Sequence, residues 1–115
     1  DIVVDGIDNF ATRYIVSDEC QRQGKPYVYG AIRGLEGQVA VLCKGHCTYR
    51  SLLPDEEATL SMPHPGKAVL GTTPAVVGSV EACQVLQLVA EMGEPLVDKL
   101  WTVDLSTMMS YVIEM

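Results

Sequence analysis

The sequence has 115 residues, 48% of them apolar and 20% charged, enough for one hydrophobic core and too few for two, so residues 1–115 are expected to form a single domain. Fifteen acidic against eight basic side chains leave a net charge of −7, which opposes the counterion release that drives binding to nucleic acid or anionic lipid, and neither is expected as a partner. No uninterrupted apolar run approaches the roughly 18–20 residues of a membrane helix, and Cys20, Cys43, Cys47 and Cys83 contain no C-x-x-C pair; the expectation is a cytoplasmic protein with reduced cysteines.

The chain opens at Asp1 inside an apolar run with no polar lead-in, which suggests the second part of something longer. Ile2 to Ile7 is β-branched and apolar on both faces, as expected of a buried strand in a parallel sheet. Asp8 and Asn9 follow as helix caps, Phe10 to Gln23 has helical spacing, and Gly24-Lys25-Pro26 stops it. Tyr27 to Ala31 and Gln38 to Cys43 read as an antiparallel hairpin around Gly34-Leu35-Glu36-Gly37. Residues 44 to 73 show no convincing periodicity and are predicted to be one long crossover loop.

A second helix is predicted to run from Thr73 as N-cap, with Pro74 in its first turn, to Met92 before Gly93. Glu81, Gln84, Gln87 and Glu91 form one narrow polar stripe and apolar residues cover most of the rest, so this helix is expected to be largely buried. Alternation at Trp101, Val103 and Leu105, and again at Tyr111, Ile113 and Met115, predicts two final strands joined near residues 106–110. The order is that of a mixed α/β sheet with helices.

Asp8 and Asn9 stand between a buried strand and a helix start, the place where open α/β sheets take ligands. Two readings are open there: Asp8 holds Mg²⁺ together with phosphate oxygens, or these residues only cap the helix. Cys43, His46 and Cys47 are residue types that suit zinc, but no fourth ligand is evident. Arg13, Arg33 and Arg50 suit either bidentate phosphate binding or surface ion pairs. His64, between two prolines, is either a general base or a solvated loop residue.

The runs from Asp5 to Arg13, Gly24 to Pro26 and Gly30 to Val39, continued by Tyr49 to Pro54, Val69 to Gly71, Pro74 to Ser79 and Gly93 to Leu96, resemble in collinear order the C-terminal half of the ThiF/MoeB/HesA family of ubiquitin-activating-enzyme-like adenylyltransferases. That resemblance implies an α/β Rossmann-like fold of the ubiquitin-activating-enzyme type, with a mixed sheet and a long crossover loop. It implies an enzyme, commonly a homodimer, that uses ATP and Mg²⁺ to adenylate the C-terminal Gly-Gly carboxylate of a ubiquitin-like sulfur-carrier protein, as in thiamin or molybdopterin biosynthesis.

On the same resemblance, Asp8 matches the aspartate at the phosphates and metal, with Asn9, Arg13 and Arg33 supporting the site or the dimer interface. The family's Gly-rich ATP loop falls upstream of the matched part, so the chain alone is expected to be inactive. Two departures stand out: Thr48 and Ser51 occupy the positions of a zinc-binding C-x-x-C, making structural zinc unexpected, and His64 falls near the crossover-loop cysteine of thioester-forming members. Cys47 is the nearest substitute thiol. The alternative expectation is a non-catalytic partner-binding or dimerisation module derived from this family.

Overall fold

The structure, a computed structural model, describes residues 1–63 and 71–115. Among the described residues nine elements follow in order: β1 (Val3–Val4), α1 (Phe10–Gln23), β2 (Tyr27–Arg33), β3 (Glu36–Leu42), α2 (Tyr49–Leu52), α3 (Glu56–Leu60), α4 (Thr72–Ala90), β4 (Lys99–Asp104) and β5 (Met109–Glu114). The strands lie side by side in chain order, β1 parallel to β2 and every later pair antiparallel. This is the mixed α/β sheet that the alternation of patterns predicts.

Pairing in β1 is shorter than its apolar run because the side chain of Asp5 takes over from the ladder. The Asp5 backbone still donates to the Val28 carbonyl at 2.9 Å, but the chain then turns away toward α1. Asn9 caps that helix, its Oδ1 accepting from the Thr12 N–H at 2.8 Å. The β2–β3 hairpin is tighter than expected: Arg33 pairs with Glu36, leaving Gly34-Leu35 as the turn, with Gly34 at φ +60° where a side chain would be strained.

Alternation along the strands divides the core between two faces. On one, Tyr14 and Cys20 of α1 meet Tyr27, Tyr29, Ala40, Leu42 and Tyr49; the Tyr14 and Tyr49 rings are edge to face at 4.8 Å. On the other, Val77 of α4 meets Val28, Val39, Val41 and Leu96.

The segment read as one irregular loop contains two short helices. Arg50 of α2 holds Asp18 of α1 at 2.8 Å and Glu56 of α3 at 3.2 Å, with its guanidinium 5.0 Å from the Tyr14 ring centre. Helices this short show little periodicity, and their position is fixed by tertiary partners.

Helix α4 departs from expectation most clearly. It begins at Thr72 and ends at Ala90, followed by Glu91 in the left-handed region at φ 52°. Thr73 does not act as N-cap; it is buried and donates its hydroxyl to the Gly34 carbonyl at 2.8 Å. The polar stripe turns inward at Glu81 and Gln84, which are buried, and reaches the surface at Glu91, while Leu86 and Val89 are 64% and 70% exposed. The Gln84 Oε1 accepts the Leu96 N–H at 2.8 Å, so a buried backbone donor claims the amide. Periodicity identifies a stripe but does not say which side of the helix meets the sheet. By length and composition α4 is also able to cross a membrane, contrary to the count of uninterrupted apolar residues; here it covers β2 and β3.

Candidate functional site

The corner between β1 and α1 is built around a buried ion pair that the sequence reading did not single out. Asp5 Oδ2 accepts from Arg13 Nε at 3.0 Å and from the Gly30 N–H at 3.3 Å, and Oδ1 accepts from the Ile7 N–H at 2.7 Å. The Arg13 Nη2 donates to the Ile7 carbonyl at 2.6 Å and the Gly30 carbonyl at 3.2 Å, and its guanidinium lies 5.6 Å from the Tyr29 ring centre. Burial opposes the Arg13 charge, but the Asp5 carboxylate, Tyr29 and Tyr49 together outweigh it and the arginine is held more firmly protonated than usual.

These bonds fold residues 5–9 into a turn that leaves Asp8 exposed just beyond β1 and beside the first turn of α1. The Asn9 Nδ2 donates to Asp8 Oδ1 at 3.2 Å, so Asn9 caps the helix through one side-chain atom and orients Asp8 through the other. Of the three residues expected at a cofactor, Asp8 presents a carboxylate outward, Asn9 braces it, and Arg13 is engaged inside the turn.

Glu81 closes the corner from the opposite face. A Cβ on Gly30 would stand 1.6 Å from Glu81 Oε1, so glycine is required for α4 to approach. Burial, and then the neighbouring Asp5 carboxylate, push the Glu81 carboxyl up to about 7, with Arg13 pulling the other way.

The cysteine cluster lies elsewhere. Cys43 follows Leu42, the register partner of Tyr27 at the start of β2, so its turn leaves the sheet in the direction away from Asp8. Asp98, at φ 56°, organises this turn: its Oδ1 accepts the Cys47 N–H and its Oδ2 meets His46 Nδ1, both at 2.8 Å. The Cys47 N–H, then His46, hold the Asp98 carboxyl down to about 2. Burial and Asp98 raise the Cys47 thiol, the reverse of what activates a nucleophile.

Among the described residues no three His, Cys, Asp or Glu side chains converge as a metal site, so Cys43, His46 and Cys47 do not assemble the zinc cluster that their residue types suggest. Thr48 and Ser51 make a helix start, the Thr48 N–H donating to Ser51 Oγ at 2.9 Å. His64 lies outside the described residues. Asp5, Glu81 and Asp98 escaped notice because each acts through a partner distant in sequence; the available signal was a charge inside or beside an apolar run.

Comparison with known proteins decides the family. The ThiF family matches over residues 1–115. The chain belongs to the ThiF family. Among ThiF-type relatives, it is 42% identical over 112 residues to a sulfur carrier protein adenylyltransferase of Thermus thermophilus, covering 90% of this chain and 41% of that protein. It is 39% identical over 97 residues to the SAMP-activating enzyme E1 of Haloferax volcanii, covering 84% of this chain and 36% of that protein. The chain thus spans well under half the length of these relatives. The crystal structure of E. coli MccB with ATP superposes on the whole chain with a TM-score of 0.79 at 20% identity, over 36% of that protein, a likeness of fold.

Proposed function

We propose that this chain is part of an ATP-dependent adenylyltransferase that activates the C-terminal carboxylate of a ubiquitin-like sulfur-carrier protein, of the kind serving thiamin or molybdopterin synthesis. The observation that carries the reading is Asp8, exposed in a hydrogen-bonded turn beyond β1 and beside a helix start, in a chain 42% identical to a sulfur carrier protein adenylyltransferase. An exposed carboxylate at that place fits Mg²⁺, which is commonly held by one or two carboxylates together with substrate phosphates.

In this reading Asp8 holds the metal, Asn9 fixes the orientation of the carboxylate, and Asp5 with Arg13 keep the turn from moving as charge is added. The metal, when bound, supplies positive charge to the phosphates during attack by the carrier carboxylate. Remaining nucleotide contacts come from outside these 115 residues, and the chain alone is inactive. The reaction stops at the acyl-adenylate or hands it to a separate sulfurtransferase, a reading supported by Cys47, whose thiol pKa is raised and whose turn leaves the other end of the sheet. A homodimer is part of the proposal.

The test is pyrophosphate exchange into ATP by the complete protein given a carrier ending in Gly-Gly. Asp8→Ala is expected to abolish exchange while leaving the fold intact; retained exchange would remove Asp8 from the site. A second reading, a non-catalytic partner-binding or dimerisation module, is favoured by the exposed apolar side chains of β5, Met109, Tyr111, Val112 and Ile113. It requires carrier binding that is indifferent to Mg-ATP.

A further inference from the structure

Glu81 reaches from the middle of α4 to the strand residue that ties the Asp8 corner together. Gly30 donates its N–H to Asp5 and accepts from Arg13 through its carbonyl, and the Glu81 Cδ lies 2.5 Å from where a Gly30 Cβ would be. The same glycine therefore carries the ion pair on one side and the acid on the other. Among the described residues, the charged groups that act on Glu81 are Asp5 from the end of β1 and Arg13 from α1. From β2 and β3 this face presents Gly30, Ile32, Gly37 and Val39, none of them charged, and Gln84 on α4 is committed to Leu96. Asp5 is bonded to the Arg13 guanidinium, and Glu81 stands across Gly30 from that pair.

We propose that Glu81 is a positioning residue for the Asp8 corner: as the neutral acid it leaves Arg13 to Asp5 and the turn, and as the carboxylate it competes for Arg13 and loosens the turn that presents Asp8. The consequence for activity rests on the adenylyltransferase reading, whereas the coupling itself belongs to the cluster. Physically, a second buried negative charge beside Asp5 is stabilised by drawing on Arg13, the cation that acts on it among the described residues, and that cation also holds the Ile7 and Gly30 carbonyls.

The experiment follows the Glu81 side-chain carboxyl carbon and the N–H groups of Ile7, Gly30 and Arg13 Nε by NMR in the complete protein across neutral pH. The four signals are expected to move together with one midpoint near 7, and Glu81→Gln is expected to lose the movement of the three N–H groups. A Glu81 midpoint in the ordinary carboxylate range, or N–H movement that survives in Glu81→Gln, overturns the proposal. Should Glu81→Gln fail to fold, wild-type midpoints decide, coincident ones supporting the coupling and separate ones refuting it. Pyrophosphate exchange measured in parallel is expected to fall as pH rises through this range in the wild type and not in Glu81→Gln. Coincident NMR midpoints with no exchange at any pH support the coupling and refute the adenylyltransferase reading; exchange with N–H groups that do not titrate refutes the coupling alone.

Discussion

Helices α1 and α4 cover opposite faces of one sheet, and each turns a charged residue inward, with opposite results. Arg13 of α1 meets an anion and carbonyl acceptors and stays charged. Glu81 of α4 approaches the same strand from the other side and finds a glycine in contact, a second carboxylate nearby and a cation already taken. A buried charge is stable where its partners are supplied in full; where they are shared, the group retains its proton instead. Arg13 and Glu81 thus serve one small corner, while Gln84 and Thr73 of α4 satisfy backbone groups elsewhere.

The contrast is most sharply broken at Asp5. Asp5→Ala is expected to cost about 3–5 kcal/mol, because it strands a buried guanidinium, and urea unfolding would register it; a loss below about 1 kcal/mol would mean that Arg13 has an escape to solvent. Glu81 yields a smaller and pH-dependent effect. Between its ordinary value of 4.5 and about 7 the folded protein holds a proton that the unfolded chain has released, so stability falls as pH rises through that window and is level above it. Glu81→Gln removes this slope, and its advantage over wild type is expected to grow by about 3 kcal/mol from the acidic to the alkaline side, read from paired urea midpoints.

Gly30→Ala sharpens the comparison sterically, since its methyl group collides with Glu81. A cost of about 1–3 kcal/mol is expected, and a double-mutant cycle with Glu81→Ala should recover part of it if the collision is the cause. Smallest is Asn9→Ala, which removes the α1 cap at about 1 kcal/mol in thermal or urea unfolding and frees Asp8 from its brace, so exchange should weaken more than stability does.

Much of the fold was legible because the relevant forces are local. Helix α1 runs over the predicted residues, since its cap, its spacing and its stop lie within a few residues of one another. The hairpin and the last two strands followed from alternation and turn chemistry. Asp8 and Asn9 could be singled out because a strand end followed by a helix start is visible in a linear pattern. Asp5, Glu81 and Asp98 could not, because their roles depend on Arg13, Gly30, His46 and Cys47, and contact between residues as far apart as Gly30 and Glu81 leaves no periodic mark.

The amino-acid sequence by itself determined the α/β class, the order of most elements, the family and the place of Asp8 between a strand and a helix. Tertiary structure alone decided that α4 turns Glu81 and Gln84 inward, that residues 44–73 include two helices docked on α1, and that Arg13 belongs to the turn. The reason is physical: propensity and pattern act over one turn or one strand, whereas the direction a helix faces is set by what the opposing surface can accept. Here that surface offers Gly30 and Gly37 as room for Glu81 and Val77, and a buried N–H at Leu96 for Gln84 to bind.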